Sequence, residues 1–458
     1  MRIAVIGAGI VGVSSAYELA EDGHEVTVFE RHSSVAGEAS FANGGVIAPG
    51  HVAPWAAPGM PSRLLRDCFG KDPLMRVRPT LDVARWRWLW RWWRASRAAA
   101  YQQHRGELLR LTQYSRDRLR DLSTRLKFEF ERTQGLLVLL RTDQDVAAAQ
   151  SALALLRELG TPFREVDRAA CHALEPGMNR DQALAGGIHF AQAEAGNCRQ
   201  FAHLLREAAE RLNVEFHFGT VVKAISPGEG GQGPRVQVEQ MALTTGFVSS
   251  RAGPNNAPAT QTTAHRARAA ARYLDPVSQE HFDAVVIAAG ADAGDLLAPL
   301  GLRLPIQPLY GYSLTAPLRS PERGPKAALI DERHQVTFSR LGQRVRVAGG
   351  AELGGSLERH RRGGVEALYR RLDDWFPGAA HIAKPQVWKG ARPMLPDGPP
   401  LVGPAPQAGV WLNLGHGHAG WALACGSARL LADLIGGRKP AFDPAALDVG
   451  RYRAASRG

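Results

Sequence analysis

The apolar positions of the first thirty residues fall into three short blocks. Arg2 to Ile6, apolar from Ile3 onward, has the length expected for a strand buried on both faces. Gly7-Ala8-Gly9-Ile10-Val11-Gly12 follows at once, and a helical run from Val13 to Asp22 stops at Gly23. A second run, Glu25 to Phe29, ends at Glu30. Strand, glycine turn, helix and strand with an acid at its tip is the spacing of a dinucleotide-binding unit. Gly7 permits the tight turn, Gly9 lets backbone approach a pyrophosphate, and Gly12 lets the helix pack on the sheet. The N–H groups around Ile10 and Val11 and the positive helix end face the phosphates, and Glu30 accepts hydrogen bonds from a ribose.

Further along, the period changes several times. Gln103 to Leu126 repeats apolar residues at threes and fours (Leu108, Leu109, Leu111, Tyr114, Leu119, Leu122), the pattern of an amphipathic helix. Strands are predicted at Phe128 to Leu140, Thr161 to Val166, Gly186 to Phe190, Val214 to Phe218 and Val221 to Ile225. Helices are predicted at Asp143 to Leu159 and Arg199 to Leu212. Residues 227–271 lack a sustained period and are rich in Gly, Pro, Asn and Thr, which predicts a partly mobile surface insertion in a hairpin. Asp283 to Ile287 is another buried strand, closed by the small residues Ala288, Ala289, Gly290 and Ala291. Strands bearing Tyr310 and Tyr312 and running Val345 to Glu352 suggest a second, sheet-rich domain. Val410 to Leu414 then returns to a glycine turn, Gly415-His416-Gly417-His418-Ala419-Gly420-Trp421, before a helix from Ala422 to Ile435. Glycine turns this far apart in sequence imply a nucleotide domain assembled from discontinuous pieces.

Between these blocks lie two loops and one distinctive helix. Arg31 opens a small-residue loop that carries Ala39, Ser40, Asn43, Gly44 and Gly45, suited to backbone approach to a ligand. Pro49 to Pro61, with His51 and Trp55, reads as a covering loop. From Thr80 to Arg97 the pattern groups Trp86, Trp88, Leu89, Trp92 and Trp93 on one helical face. Arg87, Arg91, Arg94 and Arg97 fall on the other, with Trp90 at the border. This fits a helix lying in a membrane interface, and equally a helix burying its tryptophans in a core.

Composition adds bounds. A chain of 458 residues, 45% hydrophobic, is expected to form two or three domains. No apolar run reaches the length of a membrane span. The chain opens directly on a strand, so no signal peptide is expected. Four scattered cysteines (Cys68, Cys171, Cys198, Cys425) have no metal spacing, and free thiols in a reducing cytoplasm are the expectation. The formal charge is +12, yet no nucleic-acid module is visible, which leaves anionic lipid or an acidic substrate as partners for the basic surface.

Taken together, several stretches carry a family resemblance. They are Val5 to Gly12, Ser40-Phe41-Ala42-Asn43, Ala53 to Gly59, Glu194 to Cys198 and Gly311 to Thr315. Arg392-Pro393-Met394 with Pro396-Asp397-Gly398, and Gly415-His416-Gly417 with Gly420-Trp421 and Ala424 to Ser427, complete the set. This chain resembles the bacterial D-amino acid dehydrogenase family, within the D-amino-acid oxidase superfamily of flavoproteins, over nearly its whole length outside 227–271. The resemblance implies a fold mixing α/β and α+β: a discontinuous Rossmann-like FAD-binding domain (1–85, 196–300 and 386–458) and a sheet-rich substrate domain with helices (86–195 and 301–385). It implies non-covalent FAD, with Val222 near the adenine end, His416 or Gly417 near the flavin, and Ala289, Gly290, Gly415, His418, Gly420 and Trp421 in the other turns.

The resemblance also implies that Arg392 grips the carboxylate of an amino-acid substrate. Tyr312 or Tyr310 is a candidate for a second hydrogen bond, and each also reads as a buried strand tyrosine. His51 is a candidate for the pocket rim. Ala391 and Leu395 depart from the pattern around Arg392. The implied reaction is oxidative deamination of D-amino acids to 2-oxo acids and ammonia, with electrons passed to a quinone or other acceptor. Residues 85–97 would contact the inner face of the cytoplasmic membrane. An oxygen-using oxidase of glycine, sarcosine or a cyclic imino acid is the alternative within the fold, and a non-catalytic flavoprotein subunit is the alternative outside catalysis.

Overall fold

A computed structural model describes residues 1–67, 76–228, 233–240 and 278–453. Cys68 and most of the 227–271 stretch lie outside the described residues. The part of that stretch inside them includes a strand, Arg235–Gln240, which pairs antiparallel with Thr220–Ser226 and with Ser278–His281. That antiparallel pairing of Thr220–Ser226 with Arg235–Gln240 is a hairpin, as expected around the insertion.

The predicted first unit forms as read: strand Arg2–Ile6, helix Ile10–Glu21, strand Glu25–Glu30. Arg2–Ile6 is central in a six-stranded sheet ordered 401–404, 410–414, 284–287, 2–6, 25–30, 215–218. Its neighbours run parallel, with Ile6 level with both Ile287 and Phe29. Leu412 is in turn level with Ile287. Parallel register therefore brings the turns after Ile6, Ile287 and Leu414 to one edge, the carboxyl ends of the strands, where open α/β sheets bind ligands. Gly7 takes φ +100°, and a Cβ there would lie 2.9 Å from the Ala288 carbonyl oxygen. At Gly12 a Cβ would sit 1.8 Å from the Gly7 carbonyl oxygen, so only glycine lets this helix seat on the sheet.

The second sheet is mostly antiparallel and ordered 386–394, 307–317, 344–353, 336–341, 328–331, 133–140, 186–195, 46–47. Two boundaries therefore move. The strand Gln386–Met394, expected in the cofactor domain, pairs along its whole length with Gln307–Pro317 in this second sheet. The long helix Ala98–Arg125, expected with the substrate domain, packs instead on the helix Gly420–Ile435 and reaches the helix Ile10–Glu21 through the ion pairs of Arg118 and Arg125. Its Leu108, Leu111, Leu119 and Leu122 join the core beneath the first sheet. Gly426 makes the crossing close, since a Cβ there would meet Ser115 at 2.7 Å. Buried Glu18 ties the three helices together, accepting from Arg118 at 2.8 Å and Arg429 at 2.9 Å.

In the helix Val83–Ala95, Trp88 and Trp92 are buried, and the Trp88 indole donates to the Met394 carbonyl at 3.2 Å. Trp86, Trp90 and Trp93 are 59%, 53% and 50% exposed. The single tryptophan face read from the sequence is thus two stripes, because 88 and 92 lie across the helix from 86, 90 and 93.

Candidate active site

A cavity of about 1780 Å³ runs between the two sheets. That exceeds the roughly 300–1,000 Å³ of a small-ligand pocket, which leaves room for a dinucleotide and a small substrate together. Every cofactor-binding residue expected from the sequence lines it except Gly12, whose role is the packing just described. The lining runs from Glu30, Arg31 and Val222 at one end, past Gly7, Gly9, Ile10, Val11, Ala289 and Gly290. It continues along Ala39, Ser40, Asn43, Gly44 and Gly45 to Gly415, His416, Gly417, His418, Gly420 and Trp421.

The dinucleotide end is held open by polar contacts. Glu30 accepts from the Ala8 amide at 2.7 Å and from the His32 amide at 2.8 Å, which fixes its carboxylate beside the glycine turn. Arg31 bridges Glu38 at 2.8 Å and Asp292 at 2.5 Å, tying the loop after Glu30 to the turn after Gly290. Asp292 was not read from the sequence; nothing local marks an acid 261 residues away as a partner. Ser40 Oγ accepts from the Ile10 amide at 3.1 Å and so caps the helix N-terminus. Added Cβ atoms at Gly9 and Gly290 would meet nothing closer than 3.6 Å, so both glycines leave open cavity beside the backbone.

At the opposite end Arg392 lies on the strand Gln386–Met394. Its register partner is Leu309, so its side chain shares a face with Leu309 and Gly311. A Cβ at Gly311 would fall 2.3 Å from Arg392 Nη2, so this glycine makes the space the guanidinium occupies. Arg392 Nη1 donates to the Gly350 carbonyl at 3.0 Å. Among the described residues no carboxylate pairs with it, and burial pushes its pKa down to about 10. Desolvation by the surrounding protein, helped by the Arg392 charge, lowers the pKa of His418, which is exposed to the cavity. Burial lowers His51 to about 4, helped by Arg105 and His418. Burial alone lowers His416 to about 3, and its Nε2 shares a 2.9 Å hydrogen bond with Ser427 Oγ.

The tyrosine expectation is corrected. Tyr310 and Tyr312 border the cavity, but they pair with Ala391 and Lys389, one residue out of phase with Arg392 and hence on the other face of the sheet. Tyr312 is buried against the helix Arg362–Trp375. Its hydroxyl donates to Glu352 at 3.1 Å and accepts from the Arg361 amide at 2.9 Å, so its one proton is already used. The Tyr310 ring lies 5.2 Å from Lys389 Nζ. Neither phenol shares a face with the arginine. Arg105 was missed by sequence reasoning. It lines the cavity from the long helix, and only tertiary packing brings it beside His51.

Comparison with known proteins fits this geometry. Residues 2–434 match the family model described as DAO, FAD dependent oxidoreductase. The chain belongs to this family of FAD-dependent oxidoreductases. Similar relatives include the D-amino acid dehydrogenase of Cereibacter sphaeroides, 43% identical over 464 residues covering 100% of this chain and 97% of that one. The D-amino acid dehydrogenase of Bradyrhizobium diazoefficiens is 36% identical, covering 99% of each. Among solved structures, glycine oxidase from Geobacillus kaustophilus superposes with TM-score 0.70 at 21% identity over 98% of both chains. L-proline dehydrogenase from P. horikoshii gives 0.67 at 16% identity, over 99% of this chain and 98% of that one.

FAD is the cofactor of this oxidoreductase, and the residues present fit it. Glu30 stands where a ribose would be read. The uncapped space beside Gly9 and Gly290 suits a pyrophosphate. The turn Gly415 to Trp421 lies beside the end of the Arg392 strand, with His416 bridged to Met394, and both line the remaining volume.

Proposed function

We propose that this enzyme oxidises D-amino acids to imino acids, which hydrolyse to 2-oxo acids and ammonia, and that it passes the electrons to an acceptor other than oxygen. The observation that carries this reading is Arg392, a guanidinium without a carboxylate partner among the described residues, lining the cavity on the strand that bridges to the His416 turn. A cation in that state is suited to a substrate carboxylate, which a guanidinium grips with two parallel hydrogen bonds. Bound FAD supplies the hydride acceptor. His51, His416 and His418 are all neutral at pH 7, so none competes with Arg392 for the carboxylate. None is basic enough to draw a proton from an ammonium, so the substrate reacts as its free amine. Catalysis by the chain is then chiefly orientation: one fixed carboxylate sets where the α-hydrogen points. The curated relatives named above, D-amino acid dehydrogenases across their full length, support the substrate class.

The test is an anaerobic screen of flavin bleaching over D- and L-amino acids, glycine, sarcosine and cyclic imino acids. Bleaching by D-alanine is the expected result. Bleaching by glycine, sarcosine or imino acids alone favours the oxidase alternative, as does stoichiometric peroxide in air. No bleaching at all favours a non-catalytic flavoprotein subunit.

We further propose that the acceptor is a membrane quinone and that the enzyme works in the cytoplasm against the inner face of the membrane. The exposed stripe of the helix Val83–Ala95 supports this. Trp86, Trp90 and Trp93 succeed one another at four and three residues, and the helix contains no acidic residue. Arg94 sits over Trp90 at 4.8 Å and Arg97 over Trp93 at 5.4 Å. Tryptophan rings with arginines beside them suit the headgroup region of an anionic bilayer. Among the described residues no helix is long and apolar enough to cross a membrane, so contact would be peripheral. Co-sedimentation with anionic vesicles should fall at least tenfold in a Trp86→Ser/Trp90→Ser/Trp93→Ser variant. Equal sedimentation of wild type and variant would refute the contact.

A further inference from the structure

The cavity holds a second guanidinium that no carboxylate neutralises. Arg105, on the helix Ala98–Arg125, is 5% exposed and lines the same space as Arg392. Its Nη2 donates to the Gly50 carbonyl at 3.0 Å and its Nη1 to the Tyr101 hydroxyl at 3.1 Å. Both partners are neutral, and among the described residues no acid pairs with it. Buried Arg346 also has only neutral partners, Thr315 Oγ1 and the Asn43 carbonyl, but it does not line this cavity; arginines with acids beside them behave differently. Arg118 sits on Glu18 and Glu21, Arg141 on Asp331 and Asp374, and Arg31 on Glu38 and Asp292. A guanidinium does not lose its proton to escape burial, so one kept in a cavity without a counter-charge is poised for an anion that arrives there.

Its position says which anion. Gly50, which Arg105 holds, precedes His51. His51 lies within the field of both Arg105 and His418, and His418 within the field of Arg392. All four side chains line the one cavity, with Arg105 holding the loop that carries His51 and Arg392 on the strand whose end bridges to the His416 turn. The dinucleotide's pyrophosphate belongs at the Gly9 and Ser40 turn, which Arg105 does not touch. A single α-carboxylate occupies one guanidinium fork and leaves the other unmatched.

We propose that Arg105 is a second anion-binding residue of the substrate chamber, selecting D-amino acids that carry a carboxylate on the side chain. This rests on the reading above in which Arg392 takes the α-carboxylate. Arg105 and Arg392 give this one cavity two guanidiniums for the two carboxylates of such a substrate, and Trp55, Val52 and Tyr101 line the same space. A side-chain ammonium would be repelled from the same chamber.

The experiment uses the FAD-loaded enzyme with a dye acceptor, and measures kcat/KM for D-glutamate, D-aspartate and D-alanine. The wild type should favour one of the acidic substrates over D-alanine by at least tenfold. In Arg105→Gln that ratio should fall at least thirtyfold, with Arg105→Lys between. As a check independent of variant folding, glutarate should perturb the wild-type flavin spectrum at tenfold lower concentration than butyrate. Equal potency of the two acids would overturn the proposal. So would an unchanged substrate ratio in Arg105→Gln, or an equal loss for every substrate together with a shifted flavin potential, which would mean that the guanidinium serves the flavin. Bleaching by D-alanine with no preference for acidic substrates defeats this proposal alone. Failure of every D-amino acid to bleach the flavin defeats the parent reading.

Discussion

Two cations stand three residues apart on one strand, Lys389 buried and Arg392 half-buried, and their surroundings differ completely. Lys389 is fully enclosed. Its Nζ donates to Glu352 at 2.9 Å and to the Arg359 carbonyl at 2.9 Å, and Glu352 also receives the Tyr312 hydroxyl. Arg392 has one neutral carbonyl, Gly350, and open cavity beyond it. The strand places them on opposite faces, since an odd spacing flips the side chain through the sheet. On the outer face the charge is spent within the protein and holds the loop after Leu353 in place. On the inner face it is left for a ligand. A cation therefore says little by itself; what accepts its hydrogen bonds separates a structural ion from a binding one.

Substitutions on the two faces should give opposite signatures. The largest expected effect is on stability. Lys389→Met leaves Glu352 buried without its main cation and should cost about 3–5 kcal/mol, read by chemical denaturation. A loss below 1 kcal/mol would erase the distinction drawn here. Arg392→Met should do the reverse, lowering kcat/KM for carboxylate substrates by about 2–5 kcal/mol, which is roughly 30- to several thousand-fold, with little change in the melting temperature. Unchanged kcat/KM would remove Arg392 from the site.

Acid should act on the inner face next. His51, His416 and His418 have folded pKa values below the ordinary 6.5, so the native state excludes protons that the unfolded chain accepts. The stability they contribute is fully present above about pH 6.5 and drains away as pH falls toward 4. His416, the buried one of the three, should carry most of the loss, seen as a falling melting temperature that is blunted in His416→Gln.

Smaller effects sharpen the geometry. Gly311→Ala puts a methyl where Arg392 Nη2 now lies, and displacing the guanidinium should cost about 1–3 kcal/mol in kcat/KM. Normal kinetics there would mean the arginine binds from another rotamer. Tyr312→Phe should cost only about 1 kcal/mol of stability, with kcat/KM near wild type. A selective loss of turnover would restore the tyrosine to the substrate.

The glycine turns were legible because each obeys a local constraint. Gly7 needs a positive φ and Gly12 needs the absence of a Cβ, and both needs are written in the residue type. Arg392 came from motif resemblance, and the structure places it on the wall of the cavity. The tyrosines misled because residue type does not report face: Tyr310 and Tyr312 share a strand pair with Arg392 but not its phase. The tryptophan helix misled for a similar reason. A basic and aromatic pattern marks amphipathicity, but only the packing of Trp88 and Trp92 against Leu309, Leu353 and Met394 shows which stripe the core takes.

By itself the sequence determined the dinucleotide fingerprint, the alternation of helical and extended segments, and the kinds of residue available for chemistry. These follow from short-range rules of backbone freedom and periodicity. Tertiary structure decided which distant groups meet: the turns at Gly7, Gly290 and Gly415 on one sheet edge, Arg31 with Asp292, and Arg105 with the loop that carries His51. Those pairings are set by parallel register and helix crossing, which depend on the summed burial of whole elements and leave no mark at either residue alone.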